Sequence, residues 1–320
     1  MSAQLIDGSR IRAKMLQQIE RDVARLKEWK QGVPGLAVIR VGDDPACVAY
    51  ARQKERAAHS VGFAYREHLF ESRVSERELR ERITELNRDP AIHGILLQLP
   101  LAAHLNADAL AAVIDPDKDV EGRHPVNAGR LFQGLAGLRP CTPLGVMRLL
   151  DDIGFELAGK RAVIVGRSNI VGKPMAMLLL AAHATATICH RRSDVPAAVS
   201  QADLVVAAVG VPRAIKGAWI KHGAVVIDVG IHRIDGKLVG DVEFEEAAKR
   251  ASFITPVPGG VGAVTVAMLL HNTFLAWANR QSSGSEPALA SWTEAGPWPT
   301  RPASPPLALP IPGVAAVVVA

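Results

Sequence analysis

The chain is poor in aromatic residues and in cysteine, and both shortages exclude classes of protein. Aromatic residues make up 4% of the 320 positions, two of them are tyrosines, and none cluster with basic residues. This argues against a nucleic-acid-binding surface. The three cysteines, Cys47, Cys141 and Cys189, lie far apart without a C-x-x-C pair, so neither a zinc site nor a disulfide framework is indicated.

Long apolar runs and a leader-like segment are also missing. No uninterrupted apolar stretch reaches the ~18 residues of a membrane-spanning helix. The first residues, MSAQLIDGSRIRAKM, lack the apolar core of a secretory signal. We therefore expect a cytoplasmic enzyme without a metal site, a membrane partner or a nucleic-acid partner.

The remaining composition is that of a soluble globular protein with a mildly basic surface. Apolar residues account for 48% and charged residues for 22%, the net charge is +5 and the pI is near 9.3. The length leaves room for two domains. Basic residues alternate with acidic ones, as in Glu76-Arg77-Glu78, which is typical of solvated helix faces. A small polyanionic ligand explains the positive excess equally well.

The first 140 residues alternate helices and strands. Helical spacing of apolar residues predicts helices over 11–26, 46–61 and 76–87. The predicted buried strands are Leu36–Val41 and Gly94–Leu99. This alternation predicts a parallel sheet with helices on its faces.

A second alternation begins after Gly159. Its predicted strands are Ala162–Val165, Thr185–Cys189, Leu204–Val209 and Val225–Val229. This order is typical of a doubly wound, Rossmann-like nucleotide-binding domain. The sequence thus predicts an α/β protein of two parallel-sheet αβα units with a cleft between them.

We divide the chain into two domains and a tail. Residues 1–140, together with an apolar C-terminal helix over 264–280, form a catalytic domain. Residues 141–263 form the nucleotide-binding domain, reached through a hinge at 139–143. Residues 281–320 are rich in proline and alanine, and we expect them to be disordered.

The segment RAVIVGRSNIVGKP, residues 161–174, places a strand, a glycine turn and a helix start in succession. Backbone N–H groups converge at such a turn and the helix dipole adds partial positive charge, so the turn favours a phosphate. It is not a P-loop, because Lys173 is followed by Pro174, and it is not G-x-G-x-x-G, because Ser168 occupies the second glycine position. An ordinary strand-to-helix turn is the alternative.

The residues after the second strand of this domain discriminate between nicotinamide cofactors. In such folds an acidic residue there favours NAD, whereas arginine accommodates the 2′-phosphate of NADP. The segment Cys189-His190-Arg191-Arg192-Ser193 contains two arginines and no acid. We therefore predict NADP, with a solvated basic turn as the alternative.

Other residue patterns are compatible with catalysis. Tyr50 and Lys54 lie four residues apart and share a helix face, where a lysine of lowered pKa acts as a base. Gln98 closes a strand at the sheet edge where α/β sites lie. The loops Asp115–Gly122 and Pro256–Gly262 are rich in carboxylates and in glycine. Each feature alone also fits a structural role: surface packing, a buried amide, a capped turn or a connector.

Taken together, these segments resemble the bifunctional methylenetetrahydrofolate dehydrogenase/methenyltetrahydrofolate cyclohydrolase family. The resemblance covers roughly residues 4–280, with the motifs in matching order and spacing. The motifs are VGDDPACVAYARQK (41–54), GILLQLPL (94–101), PDKDVEGRHPVNAGRL (116–131), PCTP (140–143), GRSNIVGKPM (166–175), VIDVGI (226–231) and ITPVPGGVGAVT (254–265).

The resemblance implies NADP-dependent oxidation of 5,10-methylenetetrahydrofolate to the methenyl cation, then hydrolysis to 10-formyltetrahydrofolate. It implies that Lys54 activates water or shuttles protons, that Tyr50 assists, and that Gln98 tunes Lys54. The implied substrate contacts are Glu121, Tyr50, Gln98, Pro258, Gly259, Gly260 and Val261. The implied cofactor contacts are Gly166, Arg167, Ser168, Arg191, Ser193 and Ile231, with Arg167 and Arg191 on the 2′-phosphate. A cytoplasmic homodimer in one-carbon metabolism and purine biosynthesis is also implied.

The sequence departs from the family pattern on the folate side. Glu121 stands where the family has an Asp that binds the 2-amino edge of the pterin, so the carboxylate sits one methylene farther out. Cys47 stands where Ser is usual, and Arg123 where an aromatic or aliphatic residue is common. Ala263-Val264 replaces a common Pro-Met.

These departures leave three hypotheses. The first is the full bifunctional enzyme. The second is a dehydrogenase with weak or lost cyclohydrolase activity, or one tuned to a modified folate. The third is a non-catalytic folate- or nucleotide-binding protein whose tail recruits a partner. The presence of Tyr50, Lys54 and Gln98 together argues against the third, because a binding protein needs no proton-transfer residues.

Overall fold

The computed structural model describes residues 2–29 and 31–281. The helices are α1 (Gly8–Glu28), α2 (Pro45–Ser60), α3 (Glu76–Arg88), α4 (Ala107–Ala111), α5 (Pro125–Phe132), α6 (Cys141–Asp152), α7 (Gly172–Ala181), α8 (Val195–Val199), α9 (Phe244–Ala248) and α10 (Val261–Gln281). The strands are β1 (Gln4–Leu5), β2 (Gly35–Val41), β3 (Ala64–Phe70), β4 (Gly94–Leu97), β5 (Arg161–Val165), β6 (Thr185–Cys189), β7 (Leu204–Ala207), β8 (Val225–Asp228), β9 (His232–Ile234), β10 (Lys237–Val239) and β11 (Phe253–Ile254). The predicted tail lies outside the described residues except for Gln281, which ends α10.

Two parallel sheets organise the chain. The first has the strand order β3-β2-β4, and the second has the order β1-β11-β8-β7-β5-β6. Every pairing in both sheets is parallel, and β9 and β10 form a separate antiparallel hairpin. All seven residues of β2 are buried, as expected for an apolar strand that helices cover on both faces. The predicted fold class, α/β with two parallel-sheet units, is confirmed.

The first strand joins the second sheet rather than the first. Gln4 and Leu5 pair with Phe253 and Ile254 of β11, although the sequence analysis placed all of residues 1–140 in the catalytic domain. A two-residue strand carries no periodicity that a sequence pattern can detect. The chain therefore crosses from one sheet to the other between β1 and α1.

Helix α10 lies at the centre of the structure. It extends beyond the predicted 264–280 at its N-terminus, packs against α1, α2 and α6, and buries Phe274 and Trp277 with ring centroids 5.8 Å apart. Within the described chain it is the one helix long and apolar enough to cross a bilayer. Its residues are mostly buried by the surrounding protein, as in a core helix.

Asn272 of α10 fixes the loop that contains Glu121. Its side-chain amide donates hydrogen bonds to the carbonyl oxygens of Val120, at 2.8 Å, and of Arg139, at 2.9 Å. Asn272 therefore fixes two segments at once: the carboxylate-rich loop at Val120 and the start of the hinge at Arg139.

Helix α1 begins in backbone contact with the glycine-rich loop of the second domain. A Cβ atom added to Gly8 would lie 2.1 Å from the carbonyl oxygen of Gly260. The two backbones approach this closely because residue 8 has no side chain.

We expect Gly8→Ala to lower the free energy of unfolding by about 1–3 kcal/mol, because the added methyl group overlaps backbone. Gly129→Ala is the matched control, since Gly129 lies inside α5 with open space around it. The control should raise the free energy of unfolding by roughly 0.5–1 kcal/mol through helix propensity. Chemical denaturation measures both, and a change of the same sign in the two variants would contradict the contact.

Candidate active site

A lysine and a glutamine meet at the end of the first sheet. Lys54 lies on α2, and Gln98 directly follows β4. Lys54 Nζ donates a hydrogen bond to Gln98 Oε1 at 2.5 Å, and Gln98 Nε2 donates to the carbonyl oxygen of Leu99 at 2.7 Å. Because both ends of the amide are bonded, its oxygen is held facing the amine.

The amine of Lys54 is suited to proton transfer. Burial lowers the pKa of Lys54 from the ordinary lysine value, and the nearby negative charge of Glu121 opposes this effect. A lysine whose pKa is lowered exchanges its proton more readily near neutral pH than an exposed lysine does. The sequence pattern predicted this property, and the structure supplies its cause.

The start of α2 sets the direction of the catalytic side chains. Asp44 caps the helix by accepting a hydrogen bond from the backbone N–H of Cys47 at 2.9 Å, and Pro45 occupies the first turn. Tyr50 and Lys54 follow one helical turn apart. Tyr50 is 40% exposed and lines the cleft, so its ring is available to a ligand.

The carboxylate-rich loop is largely a scaffold. Lys118 is fully buried, and its Nζ donates to the carbonyl oxygen of Leu86 at 2.8 Å. Asp119 is also buried and accepts from the backbone N–H of His124 at 2.7 Å. These contacts fix the backbone on either side of Val120 and thereby the position of Glu121.

Glu121 belongs to a chain of alternating charges. One of its carboxylate oxygens lies 3.8 Å from Arg123 Nη1, and Arg123 Nη2 donates to Asp108 Oδ1 at 3.3 Å. The Arg123 side chain is 8% exposed, so water screens its charge weakly. Burial raises the pKa of Glu121, while the positive charges of Lys54 and Arg123 oppose that rise. The carboxylate of Glu121 is therefore influenced by two cations, Lys54 and Arg123.

Two thiols border this cluster: Cys47, which the sequence analysis named as a departure on the folate side, and Cys141, to which it gave no role there. Cys141 Sγ donates to the carbonyl oxygen of Val120 at 3.1 Å, and Cys47 Sγ donates to that of Leu99 at 3.5 Å. Burial raises the pKa of both thiols, which keeps them protonated. The sequence analysis placed Cys141 in the hinge. It did not predict the contact with Val120, because the two residues lie on segments that are distant in the sequence.

A cleft of about 690 Å³ opens beside Tyr50. Its lining comes from α1, α2 and the segments 228–233 and 256–263. The cleft is lined by the predicted site residues Tyr50, Ile231, Pro258, Gly259, Gly260 and Val261. It is also lined by Ser9 and Arg12, which the sequence analysis missed because no motif marks α1.

The turn after β5 is a tight glycine turn between a strand and a helix. Gly166 has φ +135°, and a Cβ atom there would lie 2.1 Å from the carbonyl oxygen of Ala208. Gly172 opens α7 and packs directly on Gly166, where a Cβ would also collide. Ser168 Oγ accepts from the backbone N–H of Val171 at 3.1 Å, so this hydroxyl stabilises the start of α7.

Two arginines are exposed beside this turn. The backbone N–H of Gly166 donates to the carbonyl oxygen of the last residue of β6 at 2.9 Å, so the loops after β5 and β6 are neighbours. Arg167 and Arg191 lie on these loops, and both are exposed. Ser193 Oγ accepts from the backbone N–H of His190 at 3.1 Å and shapes the second loop. A glycine cradle with two free guanidinium groups fits NADP, because arginine binds phosphate in a bidentate manner.

The structure therefore brings the predicted residues together in three groups. Lys54, Gln98 and Glu121 form the first, Tyr50 joins Ile231 and the glycine-rich loop at the cleft, and the cofactor residues 166–168, 191 and 193 lie at the edge of the second sheet. Across residues 2–29 and 31–281 no group of three or more His, Cys, Asp or Glu side chains could hold a metal ion.

Two protein-family models match the chain. The model of the tetrahydrofolate dehydrogenase/cyclohydrolase catalytic domain matches residues 6–121, and that of the tetrahydrofolate dehydrogenase/cyclohydrolase NAD(P)-binding domain matches residues 140–281. The resemblance found in the sequence motifs is thereby confirmed.

Individual relatives match over most of the chain. Bifunctional protein FolD 2 of Myxococcus xanthus is 56% identical over 274 residues, which cover 85% of this chain and 95% of that protein. The bifunctional FolD enzyme of Campylobacter jejuni superposes with a TM-score of 0.85 at 45% identity, over 87% of this chain and all of that one. The Trypanosoma brucei enzyme, solved with NADP and an inhibitor, also gives 0.85, at 38% identity over 88% of this chain and all of that one. The chain belongs to the tetrahydrofolate dehydrogenase/cyclohydrolase family.

Proposed function

We propose that the protein oxidises 5,10-methylenetetrahydrofolate with NADP and hydrolyses the methenyl product to 10-formyltetrahydrofolate. The observation that carries this proposal is the Lys54–Gln98 hydrogen bond beside Glu121, one helical turn from Tyr50 in the cleft. Relatives that are 52–56% identical are named bifunctional FolD proteins, and a solved relative contains NADP.

The first step requires little acid–base chemistry from the protein. Bound NADP would supply the hydride acceptor for the one-carbon unit, and the folate nitrogens would stabilise the resulting cation. The task of the chain is to position the reactants. Gly166, Arg167 and Arg191 would hold the phosphates, and the loop Pro258–Val261 would form one wall for the flat substrate opposite Tyr50.

The second step requires a group that moves protons. Water adds to the methenyl carbon, one carbon–nitrogen bond of the ring breaks, and one proton is released in total. Lys54 takes the proton from the attacking water, and Gln98 holds the amine in place. Glu121 binds the 2-amino edge of the pterin, and its negative charge offsets positive charge on Lys54.

The position of Glu121 supports the full bifunctional enzyme over a dehydrogenase without hydrolysis. The charges of Glu121 and Lys54 each shift the pKa of the other, and Arg123 Nη1 lies 3.8 Å from the Glu121 carboxylate. The longer side chain therefore still places its charge where it acts on Lys54.

The wider biological setting is also part of the proposal. We infer a cytoplasmic homodimer whose product supplies one-carbon units for purine biosynthesis. Support for association comes from β6, an edge strand of the second sheet whose side chains are largely exposed, together with the exposed Leu180 at the end of α7. An open strand edge with apolar residues beside it is a surface that a second copy can cover.

Lys54→Gln should separate the two activities. We expect hydrolysis to fall by about 10²- to 10⁴-fold, the usual contribution of a general base, and NADPH formation to fall much less. The assays are decay of methenyltetrahydrofolate absorbance and NADPH formation from methylenetetrahydrofolate. Arg56→Gln, at an exposed position of the same helix, is the control for loss of one charge. Equal losses of both activities would contradict the assigned role of Lys54.

Glu121→Asp should lower the folate-dependent rates by about 10- to 100-fold, because the shorter side chain withdraws the carboxylate from its two cations. Steady-state kcat/KM for methylenetetrahydrofolate measures the effect. Glu121→Gln serves as the comparison that keeps the length and removes the charge. A faster Glu121→Asp enzyme would show instead that the native glutamate hinders folate binding.

Arg191→Ala should weaken NADP binding about tenfold or more and leave NAD binding nearly unchanged, because one charge-assisted contact to the 2′-phosphate is lost. The Kd values of the two oxidised cofactors, measured by calorimetry on the same variant, provide the comparison. Equal weakening of both would exclude a 2′-phosphate role for Arg191.

A further inference from the structure

The outer part of the cleft has a surplus of positive charge. Arg12 and Arg233 both line the cleft. His232, also in the lining, is hydrogen-bonded to Asp241 at 2.8 Å. Among the described residues that line this cleft, Asp228 is the acidic one. Its carboxylate already accepts backbone N–H groups, including that of Gly230 at 3.0 Å. The space between the walls therefore favours an anionic group on the ligand.

Arg12 is a donor without an acceptor. Its Nε is buried and has no hydrogen-bond partner among the residues that the structure places. Arg10, two residues earlier on the same helix, is by contrast paired with Asp152. A buried N–H group that lacks a partner is unfavourable, so the guanidinium of Arg12 is not fully satisfied by the protein and is suited to an acceptor from a ligand.

Arg12 lines the same cleft as Tyr50. Lys54, Gln98 and Glu121, which we call the inner site, adjoin that cleft through α2, because Lys54 follows Tyr50 by one helical turn. An extended substrate whose reactive end lies at Lys54 and whose body passes Tyr50 therefore occupies the cleft that Arg12 lines.

We propose that Arg12 binds a carboxylate of the glutamyl tail of the folate substrate. This inference rests on the proposed function, in which the pterin and the one-carbon unit occupy the inner site. The far end of tetrahydrofolate is a glutamyl group, whose carboxylates match the planar, two-pronged donor set of arginine. The phosphates of the cofactor have their own donors, at the Gly166 turn and at Arg191, on other elements of the structure.

The test compares two ligands that differ in the tail alone. Tetrahydrofolate and tetrahydropteroate, which lacks the glutamyl group, are titrated by calorimetry into the full-length protein saturated with NADP. We expect the unmodified protein to bind tetrahydrofolate about tenfold more tightly, the size of one charge-assisted contact. Arg12→Ala should bind both ligands equally. Arg21→Ala, at an exposed position of the same helix, should keep the tenfold preference.

Tetrahydropteroate binding is the folding control. If the parent protein and Arg12→Ala bind it equally, the variant is folded, and loss of the preference for tetrahydrofolate supports the contact between Arg12 and the glutamyl tail. A preference that survives in Arg12→Ala overturns the proposal. So does a variant that weakens NADP instead, since the anion at Arg12 is then a phosphate. Turnover is measured separately: a tail preference that depends on Arg12 without turnover would refute the proposed activity and retain this contact.

Discussion

The side-chain amide of Asn272 joins segments that are far apart in the sequence. It bonds the carbonyl oxygens of Val120 and Arg139 from the middle of α10, a helix that starts at the glycine-rich loop of the second domain. A buried amide must keep its partners, because an unsatisfied one is destabilising by about 1–3 kcal/mol. The position of Glu121, next to Val120, is therefore set by the packing of α10, and so is the distance between the inner site and the cleft wall.

The inner site is a balance of charges placed in a poorly solvated region. Burial disfavours the charged forms of both Lys54 and Glu121, while each stabilises the charge of the other. Arg123 also stabilises the carboxylate, and the protonated thiol of Cys141 adds no charge. The lowered pKa of Lys54 consequently makes its neutral form, which can take a proton from water, more available near neutral pH, and hydrolysis needs that form.

Local patterns in the sequence predicted much of this structure. Strand Thr185–Cys189 was placed without error, and the glycine turn at Gly166 has the predicted position between strand and helix, because both depend on neighbouring residues. The contacts of Cys141, Arg123 and Arg12 were not predicted. Cys141 bonds Val120 at a separation of 21 residues and Arg123 bonds Asp108 at a separation of 15, and neither periodicity nor spacing reports on such contacts.

The central place of α10 has a consequence for the order of folding during synthesis. A chain leaves the ribosome N-terminus first. Helix α1 therefore emerges long before the helix that covers its apolar face, and β1 must wait for β11 before it can pair. The core shared by the two sheets is incomplete until α10 has been made. We therefore expect both domains to reach their native state only after β11 and α10 have left the ribosome.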